Sequence, residues 1–225
     1  MAEMNLTTAD GNAVLTMHNG GLFNRDTLEQ FNQCLDQVEV DDSLRALLIT
    51  GEGKIFAQGL DLETLKTLDV ADFYQFVENT MVMAARLLTF PVPVMSVVNG
   101  HAFGLGAMIA LASDFRVMRA DRGFLCLPEI DLKMPFTLAM NALVTNTLSG
   151  EIRRDMMIAG RRLGGEDAAR YGVVDACCSE QELMQTARQI LAPALDKDRD
   201  AFSKIKRGLN LPILQVIEAS DGVRG

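Results

Sequence analysis

Residues 105–113 read LGAMIALAS, a helix-length run with no polar face. A helix of that kind has to be buried on every side, so the rest of the fold must be built around it. Before it comes FPVPVMSVVNG (90–100), an apolar run entered through prolines that reads as a strand, and after it DFRVMRA (114–120) reads as another. Upstream, AVLTMHN (13–19) and LRALLITG (44–51) have the same strand character. They are separated by TLEQFNQCLDQV (27–38), which places Leu28, Phe31, Leu35 and Val38 at helical spacing. ADFYQFVENTMVMAARLL (71–88) repeats that spacing at i, i+3, i+4 and i+7. Strands alternating with helices predict an α/β core in βαβ order. From residue 136 onward the pattern turns helical, through FTLAMNALVTNTL, EIRRDMMIAG, EDAARYG, EQELMQTARQILAPAL and RDAFSKIKRGLN. A helical C-terminal part is therefore expected, and the last segment, EASDGVRG, reads as frayed.

Composition narrows the function classes. At 225 residues and 48% hydrophobic, the chain suits one large domain, or a core with a small appendage. The net charge is −9 and the 21 basic residues are scattered, which argues against nucleic acid or an acidic membrane as partner. No run reaches the roughly 18 apolar residues of a membrane span, and MAEMNLTTADGNAV lacks the basic-then-apolar order of a secretory signal. The expected compartment is the cytoplasm. Cys34, Cys126, Cys177 and Cys178 show no CxxC spacing and read as free thiols. His18 and His101 are far apart and have no ligand-spaced neighbours, so neither a metal site nor a histidine triad is expected.

Chemistry is suggested at two loops and one carboxylate. GEGKIFAQGLDLETL (51–65) follows a strand and leads into a helix that Asp61 could cap, leaving Gly59 and Leu60 at a turn. NGHAFGLGAMIA (99–110) repeats the arrangement, with Gly100, Gly104 and Gly106 allowing a tight turn into the buried helix. If the two turns converge, their backbone N–H groups form an oxyanion hole. Neither loop fits a phosphate-binding pattern: GEGKIF lacks the second glycine of the motif, and GHAFGLG has no lysine. In RGFLCLPEID (122–131), Glu129 stands behind a proline at the end of an apolar run. A buried carboxylate costs several kcal/mol unless it is paired or used. Glu129 is thus either a structural group, capping a turn or pairing with Arg122 or Lys133, or a reactive one. Asp131, two residues further on, would point the other way if the segment is extended.

GEGKIFAQGLDL, PVPVMSVVNGHAFGLGAMIALASDFRVMRA and LPEIDL, in this order, resemble the enoyl-CoA hydratase/isomerase (crotonase) family over roughly residues 12–195. Within it, MRADRGFLCLPEIDL is most similar to the Δ3,Δ2-enoyl-CoA isomerases, especially the plant peroxisomal type. The resemblance implies a spiral of stacked ββα turns with a helical C-terminal part. Residues 1–195 would form the core with the first C-terminal helices, and 196–225 a C-terminal helix and tail with a role in trimerisation. A homotrimer or hexamer is implied, acting on an acyl-CoA thioester with no cofactor beyond the CoA of the substrate.

By the same resemblance, the oxyanion donors are the N–H groups of Leu60 and Leu105, the latter at a position where glycine is commoner. Family hydratases hold a water between two glutamates; the first corresponds to Met108 here, the second to Glu129. With one acid absent, an isomerase is implied, in which Glu129 moves a proton from the α- to the γ-carbon of a 3-enoyl-CoA. A hydratase or other crotonase-type lyase or hydrolase, or a non-catalytic acyl-CoA binder, are the alternatives. Substrate contacts are expected from Asn24, Ala57, Gly59, Asp61, Gly104, Met108 and Met134, with Met83 and Met140 also candidates for a pliable acyl pocket. Asn24 closes NGGLFN (19–24), where relatives contact CoA but where this chain lacks the usual basic residue. Lys204, Lys206 and Arg207 would either meet the CoA phosphates or form a solvated basic face.

Overall fold

The computed structural model describes residues 3–222. It opens with an antiparallel hairpin, β1 (Met4–Ala9) and β2 (Asn12–Met17), of which only the second strand was legible in sequence. The turn is Asp10-Gly11, both at positive φ, the pairing that a two-residue hairpin favours. β1 escapes pattern reading because it lies at the sheet edge, with most of its side chains in solvent. From β2 the large sheet continues in parallel.

After β2 come β3 (Leu22–Phe23) and α1 (Arg25–Val40). The second turn holds β4 (Ala46–Gly51), β5 (Ile55–Ala57), β6 (Gly59–Leu60), the short α2 (Leu62–Leu65) and α3 (Val70–Thr89). The third is β7 (Val94–Val98), β8 (His101–Phe103) and α4 (Leu105–Ala112), and the fourth β9 (Phe115–Arg119), β10 (Leu125–Cys126) and α5 (Leu138–Thr147). The first strand of each turn joins the large sheet, which runs β1-β2-β4-β7-β9. The short second strands form smaller layers, β10-β8-β5 and β3-β6. This is the spiral of ββα turns, and each corner must hold two layers in register. At one corner the buried Asn99 does so: its Oδ1 accepts from Gly51 N–H (3.0 Å), while its Nδ2 donates to the carbonyls of Gly53 and Ile55 (3.2 Å each).

α4 is buried at all eight positions, as its composition requires. The C-terminal part consists of α6 (Gly150–Ile158), α7 (Gly165–Arg170), α8 (Leu183–Leu191), α9 (Arg199–Leu209) and α10 (Leu211–Gly222), but it is not purely helical. β11 (Ala176–Cys178) extends the large sheet beside β9; three residues are too few to give a readable alternation. α8 covers the outer face of that sheet, placing Leu183, Ala187 and Leu191 against Leu48, Met95 and Val97. Ile213, Leu214 and Ile217 of α10 join the main core, and the helix continues to Gly222, so the first five residues of the segment expected to fray are helical and its last three, 223–225, lie outside the described part. The four cysteines are free thiols.

Lys206 is corrected by the structure. It is 3% exposed, and its Nζ donates to Asp114 at 2.6 Å, so it is neither on a solvated face nor open to a phosphate. Lys204 and Arg207 are surface residues paired with Asp200 and Glu218.

Candidate active site

The two glycine turns do converge. Gly59 has φ +88°, and a methyl group at its Cβ position would lie 2.6 Å from the Phe103 carbonyl oxygen and 3.0 Å from the Leu105 nitrogen. Only glycine permits so close an approach at such a φ. Gly104, at φ 51° and ψ −117°, caps α4 without a side chain, so Leu105 is the first residue of that helix. The N–H of a first residue has no acceptor within its own helix. Leu105 itself does not take positive φ, so its Cβ is no obstacle to the turn.

Glu129 follows β10 and Pro128, in a segment that is turned rather than extended. Leu132 N–H donates to Pro128 O (3.0 Å) and Met134 N–H to Glu129 O (2.9 Å), with Lys133 at positive φ. The premise that Asp131 alternates with Glu129 along a strand therefore fails; its carboxylate lies instead near Gly160. Glu129 is 6% exposed, its Oε2 has no hydrogen-bond partner, and no ion pair joins it to Arg122 or Lys133. Its Oε1 faces Gly104, 3.7 Å from where a Cβ would stand. Burial, the larger influence, pushes the carboxyl up to about 7 against a lowering hydrogen bond from its own backbone N–H.

Above Glu129 opens a mostly apolar cavity, with about 610 Å³ of empty space when the open solvent at its mouth is included. Leu60, Gly104, Leu105, Glu129, Met134 and Met140 all line it, so six of the residues singled out in sequence meet at one surface. Phe73 and Val77 of α3 and Leu62 of α2 complete the apolar wall. Among its lining residues Glu129 is the only carboxylate; Gln58, Tyr74 and Thr137 supply the other polar side chains.

The other expected contacts sit behind this surface. Ala57 is fully buried and packs against Gly106, holding β5 to α4. Gly59 acts through the close approach just described. Met108 is also fully buried, one helical turn beyond Gly104, to whose carbonyl its N–H donates (3.0 Å). It fills core rather than cavity wall, and so does Met83. Asn24 and Asp61 form a clasp: Asn24 Nδ2 donates to Asp61 Oδ2 (3.4 Å), and each also caps a helix. Asp61 accepts from the Thr64 hydroxyl (2.6 Å) and N–H (3.1 Å), and that hydroxyl is the main influence holding its carboxyl below the usual range.

Sequence reasoning missed Phe73, Tyr74 and Val77. Their helical periodicity was visible, but an apolar residue that lines a cavity has the same pattern as one that fills the core. His101 packs its ring against Phe103 (5.1 Å) and Phe124 (5.6 Å), away from the cavity lining. Among the described residues, no group of three or more His, Cys, Asp or Glu side chains could hold a metal ion.

Known proteins are similar to this chain in sequence and fold. The family model described as enoyl-CoA hydratase/isomerase matches residues 8–219. Enoyl-CoA delta isomerase 3 of Arabidopsis thaliana is 34% identical over 163 residues, 70% of this chain and 68% of that protein. Carnitinyl-CoA dehydratase of Escherichia coli is 33% identical over 167 residues, 74% of this chain and 63% of that protein. Among solved structures, an enoyl-CoA hydratase/isomerase family protein of Pseudomonas syringae superposes with a TM-score of 0.88 at 26% identity, covering 96% of each chain. The apo enoyl-CoA isomerase of Mycobacterium tuberculosis has the same fold, with a TM-score of 0.89 at 24% identity, covering 99% of this chain and 98% of that one.

Proposed function

Because this chain belongs to the enoyl-CoA hydratase/isomerase family, whose members act on acyl-CoA thioesters, we propose that it is a Δ3,Δ2-enoyl-CoA isomerase. The observation that carries this reading is the single unpaired carboxylate, Glu129, facing an apolar cavity beside the two converged glycine turns.

In the proposed reaction, ionised Glu129 takes a proton from the α-carbon of a 3-enoyl thioester. The electron pair of that C–H bond delocalises through the alkene and carbonyl into a dienolate, whose charge rests largely on the thioester oxygen. The N–H groups of Leu60 and Leu105 are the assigned donors to that oxygen. Glu129 then returns the proton to the γ-carbon, and the double bond ends between the α- and β-carbons as trans-2-enoyl-CoA. A carboxyl raised to about 7 is matched to both halves of this cycle, since near neutral pH it can both accept and release the proton. The step consumes no water and needs no second acid.

A dehydratase or hydratase reading is favoured by the similarity to carnitinyl-CoA dehydratase. Activating a water between two acids would require a second carboxylate at the cavity, and the lining residues supply none. Incubating the purified protein with 3-enoyl- and 2-enoyl-CoA decides between the two readings. Appearance of the conjugated thioester from the 3-enoyl substrate, abolished in Glu129→Gln, supports the isomerase. Hydration of 2-enoyl-CoA at a comparable rate would overturn it. Turnover is expected to be unchanged in a strong chelator, and loss restored by added metal would contradict a cofactor-free mechanism.

A further inference from the structure

Exposure along the cavity wall gives the cavity a direction. Leu62, Tyr74 and Leu132 are 36%, 37% and 48% exposed and form its mouth, whereas Val77 and Met140, at 2% and 5%, belong to its buried wall together with Leu105 and Glu129. The charged nucleotide part of a CoA thioester has to remain in water, so the acyl chain enters from the mouth and its tail runs along the buried wall.

Methionine is usually an adaptable wall, because its long unbranched side chain can re-pack around a ligand. Met140 is held differently. It stands in the first turn of α5, where Thr137 N–H donates to its Sδ (3.4 Å) and the Thr137 hydroxyl accepts from its N–H (3.3 Å). Asn141 ties the same turn down: its Nδ2 donates to the carbonyls of Phe136 (3.3 Å) and Thr137 (3.1 Å). Behind it, Ala139, Leu143 and Val144 are packed into the main core, which leaves the helix no room to withdraw.

We infer that Met140, pinned through its sulfur and assisted by Val77, is the fixed end wall that limits the length of the acyl chain this site accepts. The inference rests on the acyl-thioester reading for its ligand, but not on the isomerisation step. A rigid wall gives a sharp limit, because each methylene that does not fit a hydrophobic pocket costs about 10–200-fold in discrimination.

The test uses the intact protein and saturated acyl-CoAs of increasing chain length, with affinities from titration calorimetry and folding checked by thermal unfolding. Met140→Ala is expected to raise affinity for chains just beyond the parent's limit by about tenfold or more, with little change for shorter ones. Val77→Leu should move the limit toward shorter chains. Folded variants that both keep the parent's chain-length profile would overturn the inference, and if Met140→Ala does not fold, Val77→Leu alone decides it. Because saturated acyl-CoAs undergo no isomerisation, the two readings can fail separately. A shifted profile in a protein that does not isomerise 3-enoyl-CoA keeps the wall and removes the isomerase; an unshifted profile in an active isomerase does the reverse.

Discussion

Glu129 and Asp114 are both carboxylates drawn out of water, and the fold treats them in opposite ways. Asp114 accepts from Lys206 Nζ (2.6 Å) and from Val94 N–H (2.8 Å), and Arg116 adds a further attraction. Burial still pushes Asp114 up and Lys206 down, each opposed by the charge of the other. Glu129 is pushed up as well, to about 7, with no partner for its Oε2. A raised carboxyl therefore does not by itself mark a reactive one. What separates the two is the partner: a carboxylate held by a buried ammonium is committed to that contact, whereas one facing an empty apolar cavity is free to take a proton from a ligand.

The comparison can be broken by removing each group in turn. Glu129→Gln keeps the shape and loses the base, so turnover should fall by about 10²–10⁴-fold while stability near pH 8 does not fall. Lys206→Met should do the opposite. It leaves Asp114 buried without its ammonium and is expected to cost about 3–5 kcal/mol in urea unfolding, with kcat of the folded fraction unchanged. Loss of turnover in a stable Lys206→Met protein would show that the two carboxylates are not divided between structure and chemistry.

Proton linkage sharpens the contrast. Glu129 has a folded value of about 7 against an ordinary 4.5, so between these limits the native state holds a proton that the unfolded chain releases. Its contribution is fully present below pH 4.5 and is lost as pH rises through about 7, a decline of about 3 kcal/mol. Activity runs the other way, increasing as pH passes about 7 and the base ionises. In Glu129→Gln this part of the stability slope should vanish, measured by urea unfolding at pH 5 and pH 8. A slope unchanged by the substitution would assign it to other groups, Asp114 among them.

The sequence carried the parts of this arrangement that depend on local pattern. The all-apolar α4 could only be central, the glycine turns announced close approaches, and a glutamate behind Pro128 had to be either paired or used. What it did not carry depends on distant partners. Lys206 sits in an amphipathic helix close to Lys204 and Arg207, which are at the surface, and its partner Asp114 lies 92 positions away. Met108 looked like a cavity residue because it replaces an expected acid, yet an apolar side chain there is free to join the core, which an unpaired acid is not. β1 is too exposed, and β11 too short, for alternation to reveal either strand.

The smallest expected effect concerns Asn24 and Asp61, which read as substrate contacts in sequence and form a clasp in the structure. Asp61 directly follows Leu60, its N–H donates to Phe23 O (2.9 Å), and its carboxylate is tied to Thr64 and Asn24. Neither residue lines the cavity; the clasp holds the chain that presents the Leu60 N–H. Asp61→Ala removes the cap of α2 and the link to α1, and loss of a helix cap costs about 1 kcal/mol. The Leu60 N–H remains but is less well aimed, so kcat should fall by less than the about 10²–10³-fold that follows outright loss of an oxyanion donor. The pH at which activity appears should not move, because Glu129 keeps its surroundings. Asp61→Asn, which retains an acceptor for Thr64, should recover most of the lost turnover. A shifted pH profile in Asp61→Ala would instead place its carboxylate in electrostatic contact with the base, and the division between one reactive carboxylate and its structural neighbours would no longer hold.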